Sequence, residues 1–380
     1  MNIFIISRGY PTHKDPQWGN FEVDQARALA EVGHKVIVLS VDVRYSKVKN
    51  RLGVTRVVEP SIVSYSLNPG PWVFSSLVSN NFYYWIYRVF LLSLYEKVVK
   101  TEGTPDIIYA HYQDSSEAAL LLKKRYNVPV IGIEHWSALG IANPPRIAIE
   151  HGKYTYPSLD KVLVVSNALK ENIKKLFNVD SEVVNNIIGK EFCYSEYSNT
   201  DGIVHFVLTG NLKPVKCIDL AITAFAKVAQ VKDNVRFTIV GDGTEKEKLY
   251  TIIKEYGLTD KVQLVGRKDR DYIVNLLQTS DIYVLSSSSE TFGVAAGEAL
   301  ACGVPVIATD CGGPRDFMND FNGLLVPVND IKAMVDAMLF MVEHFKEYDR
   351  KRIAQDCHEK FSSEAIAKQL TQIFKQVVEK

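Results

Sequence analysis

The sequence predicts two doubly wound, parallel-sheet α/β domains in tandem, and three observations predict it. Short apolar, β-branched runs alternate with longer amphipathic stretches along the chain, the pattern of parallel strands joined by helical crossovers. That alternation halts at a polar, unpatterned stretch from Glu191 to Gly202 and then begins again. The 380 residues are too many for one ordinary core and suit two domains of about 150–200 residues each. Ligands of such sheets bind outside the carboxyl ends of the strands, so the two Rossmann-like domains are expected to face a shared cleft.

Taken in order, the first half offers strands at Ile3–Ser7, Lys35–Val41, Asp106–Ala110, Val128–Glu134 and Lys161–Ser166. Gly19 to Glu31 reads as a helix closed by Gly33, a glycine in the usual position after a last turn. The second half offers Ile203–Thr209, Val235–Val240, Val262–Val265, Ile282–Leu285 and Val304–Ala308, each bounded by Gly, Asp or Asn. From Phe361 the chain reads as a closing helix, with Ile366, Leu370, Ile373, Phe374 and Val377 on one face. The expected division is a first domain over 1–190, a linker over 191–202 and a second domain over 203–360. The helix over 361–380 returns to the first domain.

Composition narrows the function. Lys plus Arg equals Asp plus Glu, 44 each, so the chain has no bias towards nucleic acid. Five cysteines, none in a CxxC pair, make neither a disulfide framework nor a metal knuckle and suit a reducing cytoplasm. Met1 to Ser7 is apolar with no basic region before it, a first strand and not a signal peptide. The most membrane-like run, Phe82 to Tyr95, contains Arg88 and falls short of the roughly 20 apolar residues a span needs.

The strongest local signal is Glu290-Thr291-Phe292-Gly293-Val294-Ala295-Ala296-Gly297-Glu298, after an expected strand and four serines, Ser286 to Ser289. A helix beginning near Phe292 would present free N–H groups to an anion, and Gly293 would let a diphosphate approach the backbone. Glu290 would stand at the strand-to-helix corner, and Glu298, further along the helix, would suit ribose hydroxyls. Either acid could instead simply favour the helix dipole, but two glutamates at this spacing in this context point to a site. This segment resembles the retaining, GT-B-fold glycosyltransferases of family 4, whose signature is a Glu, seven residues and a second Glu. The resemblance covers essentially the whole chain. It implies that Glu290 contacts the transferred sugar, that Glu298 binds the donor ribose, and that Phe292, Gly293 and Val294 line the donor.

Gly210-Asn211-Leu212-Lys213-Pro214-Val215-Lys216 follows the strand Ile203–Thr209. It is similar to the family's Gly-Arg-Leu, spacer and Lys, which implies that Gly210, Asn211 and Lys216 meet the donor diphosphate. Asn211 stands where Arg is usual, so a bidentate fork is missing and Lys216 carries more of the charge, with Lys213 or Arg267 as further bases. Val240-Gly241-Asp242-Gly243 resembles the loop that shapes the donor pocket. Gly266 and Arg267 fall where the resemblance places the nucleotide base. Asp310-Cys311-Gly312-Gly313-Pro314-Arg315-Asp316 resembles a structural turn of the family.

In the first half, Gly19, after Tyr10-Pro11 and Gln17-Trp18, resembles the glycine loop beneath the diphosphate and near the acceptor, with Asn20 where a second glycine is common. His135 ends the strand Val128–Glu134, where the family places a histidine close to the donor sugar. His111 ends the strand before it and is an acceptor-side candidate. Two further patterns compete. Asp269-Arg270-Asp271 matches a metal-binding Asp-x-Asp, but Arg267-Lys268 separate it from a strand and a helix start explains it. Arg44, Lys47, Lys49 and Arg51, followed by Trp72, Phe74, Phe82, Tyr83, Tyr84, Trp85 and Tyr87, could seat the chain on an anionic membrane surface or be a solvated loop and a core helix.

The function expected is transfer of a sugar, with retention and without a metal or other cofactor, from a nucleoside-diphosphate sugar, UDP favoured. The acceptor expected is a glycan or lipid-linked glycan of bacterial surface-polysaccharide assembly, met in the cytoplasm or at the inner membrane face. A sugar-nucleotide epimerase or hydrolase on the same twin-domain fold is the alternative, distinguished by nucleotide release without a new glycoside. A nicotinamide dehydrogenase would need Gly-x-Gly-x-x-Gly after the first strand, and Ser7-Arg8-Gly9-Tyr10-Pro11 stands there instead.

Overall fold

The computed structural model describes residues 1–11, 18–42, 52–70, 80–140, 144–196 and 200–379, without the side chains of 80, 81 and 83. The chain forms two compact units, Met1–Ile187 together with Ser363–Lys380, and Ile188–Ser362.

The first unit runs β1 (Asn2–Ser7), α1 (Asn20–Glu31), β2 (Lys35–Val41), β3 (Gly53–Val58), β4 (Ile62–Asn68), α2 (Asn80–Glu102), β5 (Ile107–His111), α3 (Tyr112–Tyr126), β6 (Val130–Glu134), α4 (Arg146–Ser158), β7 (Lys161–Val164), α5 (Asn167–Phe177) and β8 (Glu182–Val183). The sheet order is β3-β4-β2-β1-β5-β6-β7-β8. All neighbours are parallel except β3 and β4, an antiparallel pair at the edge. β1, β2, β5 and β6 are buried on both faces, which is why they read as continuous apolar runs. Phe4, Ile6, Ile37, Leu39, Ile108 and Ala110 pack with Leu91, Leu94 and Val98 of α2 and Ala119 and Leu122 of α3.

The second unit runs β9 (Val204–Thr209), α6 (Ile218–Ala229), β10 (Val235–Val240), α7 (Lys246–Glu255), β11 (Val262–Leu264), α8 (Arg270–Gln278), β12 (Ile282–Leu285), α9 (Val294–Ala301), β13 (Val306–Thr309), β14 (Gly323–Val326), α10 (Ile331–His344) and α11 (Arg350–Phe361). Its sheet, β11-β10-β9-β12-β13-β14, is parallel throughout. Phe206, Phe225 and Phe237 form an aromatic centre, with Met334, Met338 and Met341 of α10 packed in the same core. Inside the polar stretch that precedes β9, the Phe192 side chain is buried, Arg270 pairs with Glu191 at 2.6 Å, and Gln278 donates to the Cys193 carbonyl at 2.9 Å.

The last helix, α12 (Ser363–Val378), lies with the first unit. Its buried face is Ile366, Ala367, Leu370, Ile373 and Phe374, the amphipathic stripe seen in the sequence. Phe374 meets Tyr109 edge-on at 5.1 Å, and Thr371 lies 2.8 Å from His34. Helix formation from Phe361 onward is interrupted at Ser362, where α11 ends in extended backbone. No helix among the described residues is long and apolar enough to cross a membrane.

Candidate functional site

In the second unit β9 and β12 are neighbours, with β10 continuing on one flank and β13 on the other. The strand order reverses between them, the point at which a doubly wound sheet opens a ligand crevice outside its carboxyl ends. Both sequence motifs of this half leave from that point. The loop after β9 is stitched to the loop after β10. Gly210 N–H donates to the Val240 carbonyl, Leu212 N–H to Asp242 and Glu245 N–H to Leu212, each at 3.0 Å. Gly241 N–H donates to the Gly266 carbonyl, also at 3.0 Å. Leu212 anchors this rim in the core, while Asn211, Lys213 and Arg267 are exposed.

Lys216 closes a 3-10 turn, Pro214–Lys216, and its Nζ donates to Glu290 Oε1 at 2.6 Å. Ser287 Oγ donates to the same oxygen at 2.6 Å. The side chains of Lys216 and Glu290 are only 28% and 12% exposed, so this pair is partly withdrawn from water. The serine run binds the two loops together: Ser286 Oγ donates to the Lys216 carbonyl at 2.8 Å and Ser288 N–H to Val215 at 2.8 Å. The backbone of Glu290 is held on both sides, its N–H by Cys311 O and its carbonyl by Gly313 N–H.

α9 begins at Val294, two residues later than a start at Phe292, because Gly293 adopts the left-handed conformation (φ 97°) and forms the cap. No side chain caps this helix. The Phe292 ring is fully buried against Phe317 and Phe361, at 5.4 and 5.3 Å. Val294 and Glu298 are half-buried. Burial, then the charges of Glu298 and Glu290, push the Tyr283 hydroxyl of β12 up. Asp269 caps α8, accepting from Tyr272 N–H at 2.9 Å. Arg315 donates to both carboxylate oxygens of Asp310.

In the first unit the strand order reverses between β1 and β5. Gly19 (φ 84°) caps α1 there, and an added Cβ would stand 2.3 Å from the Gly9 carbonyl oxygen. That close approach is what the glycine provides. His111 ends β5 and His135 follows β6. Their rings stack at 5.2 Å, 7° from parallel, with His111 Nδ1 3.1 Å from His135 Nε2. His135 Nδ1 lies 3.1 Å from Asn186 Oδ1. An amide oxygen only accepts, so with Asn186 turned this way Nδ1 of His135 carries the proton and Nε2 accepts from His111. Burial, then the Arg8 charge, lowers His135 to about 3. Burial, then His135 and Arg8, holds His111 well below its usual range. Both rings are therefore neutral. Glu134 accepts from the N–H groups of His135 and Trp136 at 2.8 and 2.7 Å, fixing the turn that presents His135.

Arg44, Lys47, Lys49, Arg51, Trp72 and Phe74, together with Gln17, Ser198, Asn199 and the Tyr83 side chain, lie outside the described residues. The aromatic stretch of α2 divides: Phe82 and Trp85 are exposed and stack at 5.8 Å, whereas Tyr84 and Tyr87 are buried, with hydroxyls on Asp114 and Ser115.

Comparison with known families decides the class. Residues 21–191 match the model "Glycosyltransferase Family 4" and residues 198–355 match "Glycosyl transferases group 1". The chain belongs to the retaining family 4 glycosyltransferases. It is 26% identical over 313 residues to the N-acetyl-alpha-D-glucosaminyl L-malate synthase of Bacillus anthracis, covering 78% of this chain and 81% of that protein. The sucrose-phosphate synthase of Thermosynechococcus elongatus superposes with a TM-score of 0.82 at 20% identity, over 100% of this chain and 99% of that one. Anabaena HepE, solved in complex with UDP-glucose, superposes with a TM-score of 0.70 at 16% identity, over 99% of this chain and 100% of HepE. These superpositions give the GT-B fold.

In this glycosyltransferase three neighbours of the expected residues were not singled out by sequence reasoning. Ser287 was visible only as part of a serine run. Asn186 reaches His135 across 51 positions of chain, and Arg8 meets Tyr112 through the sheet. No local pattern marks either.

Proposed function

We propose that the enzyme moves a sugar from a UDP-sugar to a hydroxyl of a glycan or lipid-linked glycan acceptor, without a metal. The observation that carries the reading is the half-buried Lys216–Glu290 pair at the β9–β12 crevice, beside a helix start that no side chain caps. The donor diphosphate would take Lys216 and the first N–H groups of α9, with Gly293 permitting close approach and Val294 and the Phe292 backbone beside it. Glu298 would accept from the ribose hydroxyls, and the rim Gly210, Asn211, Gly266 and Arg267 would frame the nucleotide. HepE, which shares the fold, is a UDP-glucose complex, and that supports UDP as the carrier.

As the bond between the anomeric carbon and the leaving phosphate oxygen breaks, negative charge gathers on the diphosphate and positive charge on the sugar ring. Lys216 and the helix amides would meet the first from fixed positions, which is electrostatic stabilisation by preorganised donors. Glu290, released by Lys216, would face the second. His135 is proposed for the sugar side, with Gly19 and His111 towards the acceptor. Its two ring nitrogens already serve Asn186 and His111, so a hydrogen bond to the sugar would replace one of them. The exposed Phe82 and Trp85 are the described part of a surface proposed to meet the inner membrane face.

The test is thermal stabilisation by UDP, GDP, ADP and CDP, with Glu298→Ala and Lys216→Ala alongside. Ligand at 100 times its dissociation constant stabilises by about 2.7 kcal/mol, several degrees for units of this size. A shift with UDP alone, lost in both variants, supports the assignment; no shift with any nucleotide defeats it. Transfer that collapses on adding EDTA would defeat the metal-free reading.

A further inference from the structure

We infer that Arg8 recognises an oxyanion, a carboxylate or phosphate, carried by the acceptor. The inference rests on the glycosyltransferase reading only in taking the bound molecule to be the acceptor. Arg8 follows β1 directly, and β1 and β5 are the neighbours between which the strand order reverses. By the topology of doubly wound sheets that is the ligand crevice of the first unit, where Gly19 and His111 also lie and where the proposed function uses Arg8 for nothing.

The guanidinium lies over two aromatic rings. Its carbon lies 3.2 Å from the centroid of the Tyr112 ring and 5.0 Å from that of Trp18. Stacked guanidinium groups keep their N–H edge for hydrogen bonds, and that edge fits a two-oxygen anion. Tyr112 is brought there by strain, since its backbone has φ 67° at the β5-to-α3 corner. A bulky residue in the left-handed region is costly, and here it turns the ring beneath Arg8. The Arg8 side chain is 31% exposed, so a ligand can reach it.

Among the described residues the charge is incompletely answered. The acid paired with it, Glu22, touches Nε at 3.5 Å and its other oxygen, Oε2, is buried with no partner. Burial pushes Glu22, Asp114 and Glu134 all up from the usual carboxylate range, and the two nearby imidazoles are neutral. A fixed cation among acids held towards their neutral form is a place for an anion from outside. An alcohol acceptor without an acidic group would leave it unmatched.

The probes are inorganic phosphate, L-malate and monomeric dihexanoyl phosphatidic acid, with glycerol as the neutral control. Each is titrated by calorimetry in saturating UDP, which fills the diphosphate subsite. Wild-type protein binds phosphate and at least one acid, and not glycerol. Arg8→Gln weakens them roughly tenfold or more, the loss of a charge-assisted pair, and Arg8→Lys falls between. Glu22→Gln removes the internal competitor and tightens them, a change of sign that a merely structural salt bridge would not produce. Preference for malate places the oxyanion on a soluble acid, and preference for the phosphatidate places it on a lipid. Unchanged anion affinity in Arg8→Gln, or no anion binding by the wild type, overturns the inference. UDP affinity, unaltered in all three variants, shows that they are folded; its absence in every protein strikes the donor reading instead, and the anion titration then stands by itself.

Discussion

Glu290→Gln and Lys216→Met should move nucleotide affinity in opposite directions. In the free enzyme Lys216 Nζ sits 2.6 Å from Glu290 Oε1, so the Glu290 carboxylate and the diphosphate would compete for the charge of one ammonium. Lys216→Met leaves a carboxylate that is 12% exposed with Ser287 as its remaining donor. Stripping a charged partner from such a group costs about 1.5–3 kcal/mol, or roughly 3–12 °C in melting temperature for a unit of this length. The same magnitude lost from the diphosphate weakens UDP by about ten- to a hundredfold. Glu290→Gln keeps the shape and removes the competing charge, so UDP binds as tightly as in the wild type or up to about tenfold tighter. Transfer, by contrast, falls by about a hundredfold or more. Calorimetric titration of UDP into the three proteins reads the affinities, and nucleotide release from the donor reads turnover. Wild-type UDP affinity in Lys216→Met, or a tenfold loss in Glu290→Gln, would refute the competition between glutamate and diphosphate.

Three further outcomes are expected. Gly19→Ala and Gly293→Ala both put a side chain at positive φ, but only the first drives Cβ to 2.3 Å from a backbone oxygen, the second meeting ring atoms at an ordinary 3.5 Å; thermal melts should show about 1–2 kcal/mol lost at Gly293 and clearly more at Gly19. Phe292→Ala should cost about 3–5 kcal/mol, the loss of a buried aromatic, with UDP affinity per folded molecule little changed. Because His135 is lowered from 6.5 to about 3 in the folded protein, its contribution is complete above pH 6.5 and fades as pH falls through that window, about 1.4 kcal/mol per pH unit. Urea melts from pH 7 to pH 4 should therefore fall less steeply in His135→Gln, and an identical slope would show the ring is not held neutral.

What could be read in advance divides along physical lines. Strands buried on both faces, such as β2 and β12, appear in the sequence as near-continuous apolar runs with their ends legible to the residue. β3 and β4 did not appear. β3 is a largely exposed edge, and β4 alternates Ser64 and Ser66 with Val63, Tyr65 and Leu67, a one-sided pattern too polar to stand out. β8 is two residues long, below what periodicity can register, while β14, as long as β12, opens on Gly323 and went unread. α11 was not read either, and the closing helix read from Phe361 starts at Ser363, because α11 ends at Ser362 in extended backbone.

The candidate site divides differently. Glu290, Gly293, Glu298 and Lys216 were legible because each depends on local grammar: a strand, a tight loop and a helix start lie within a few residues of one another, and the strand order then brings the loops after β9 and β12 together. What that grammar could not report is how each group is held. Phe292 sits inside the same motif, yet its ring serves the core with Phe317 and Phe361. His135 looks in the sequence like a side chain presented to a ligand, but Asn186 and His111 occupy its nitrogens and burial keeps it neutral. A neutral imidazole with one fixed proton position neither adds charge near the sugar nor exchanges protons at ordinary pH. Under the proposed function, cationic stabilisation would then come from elsewhere, from Lys216 on the donor side and, under the inference above, from Arg8 for the acceptor. Both cations face a carboxylate in the free protein, Glu290 at 2.6 Å from Lys216 and Glu22 at 3.5 Å from Arg8. Each incoming anion would therefore compete with an internal acid, and the longer Arg8 contact would yield the more readily.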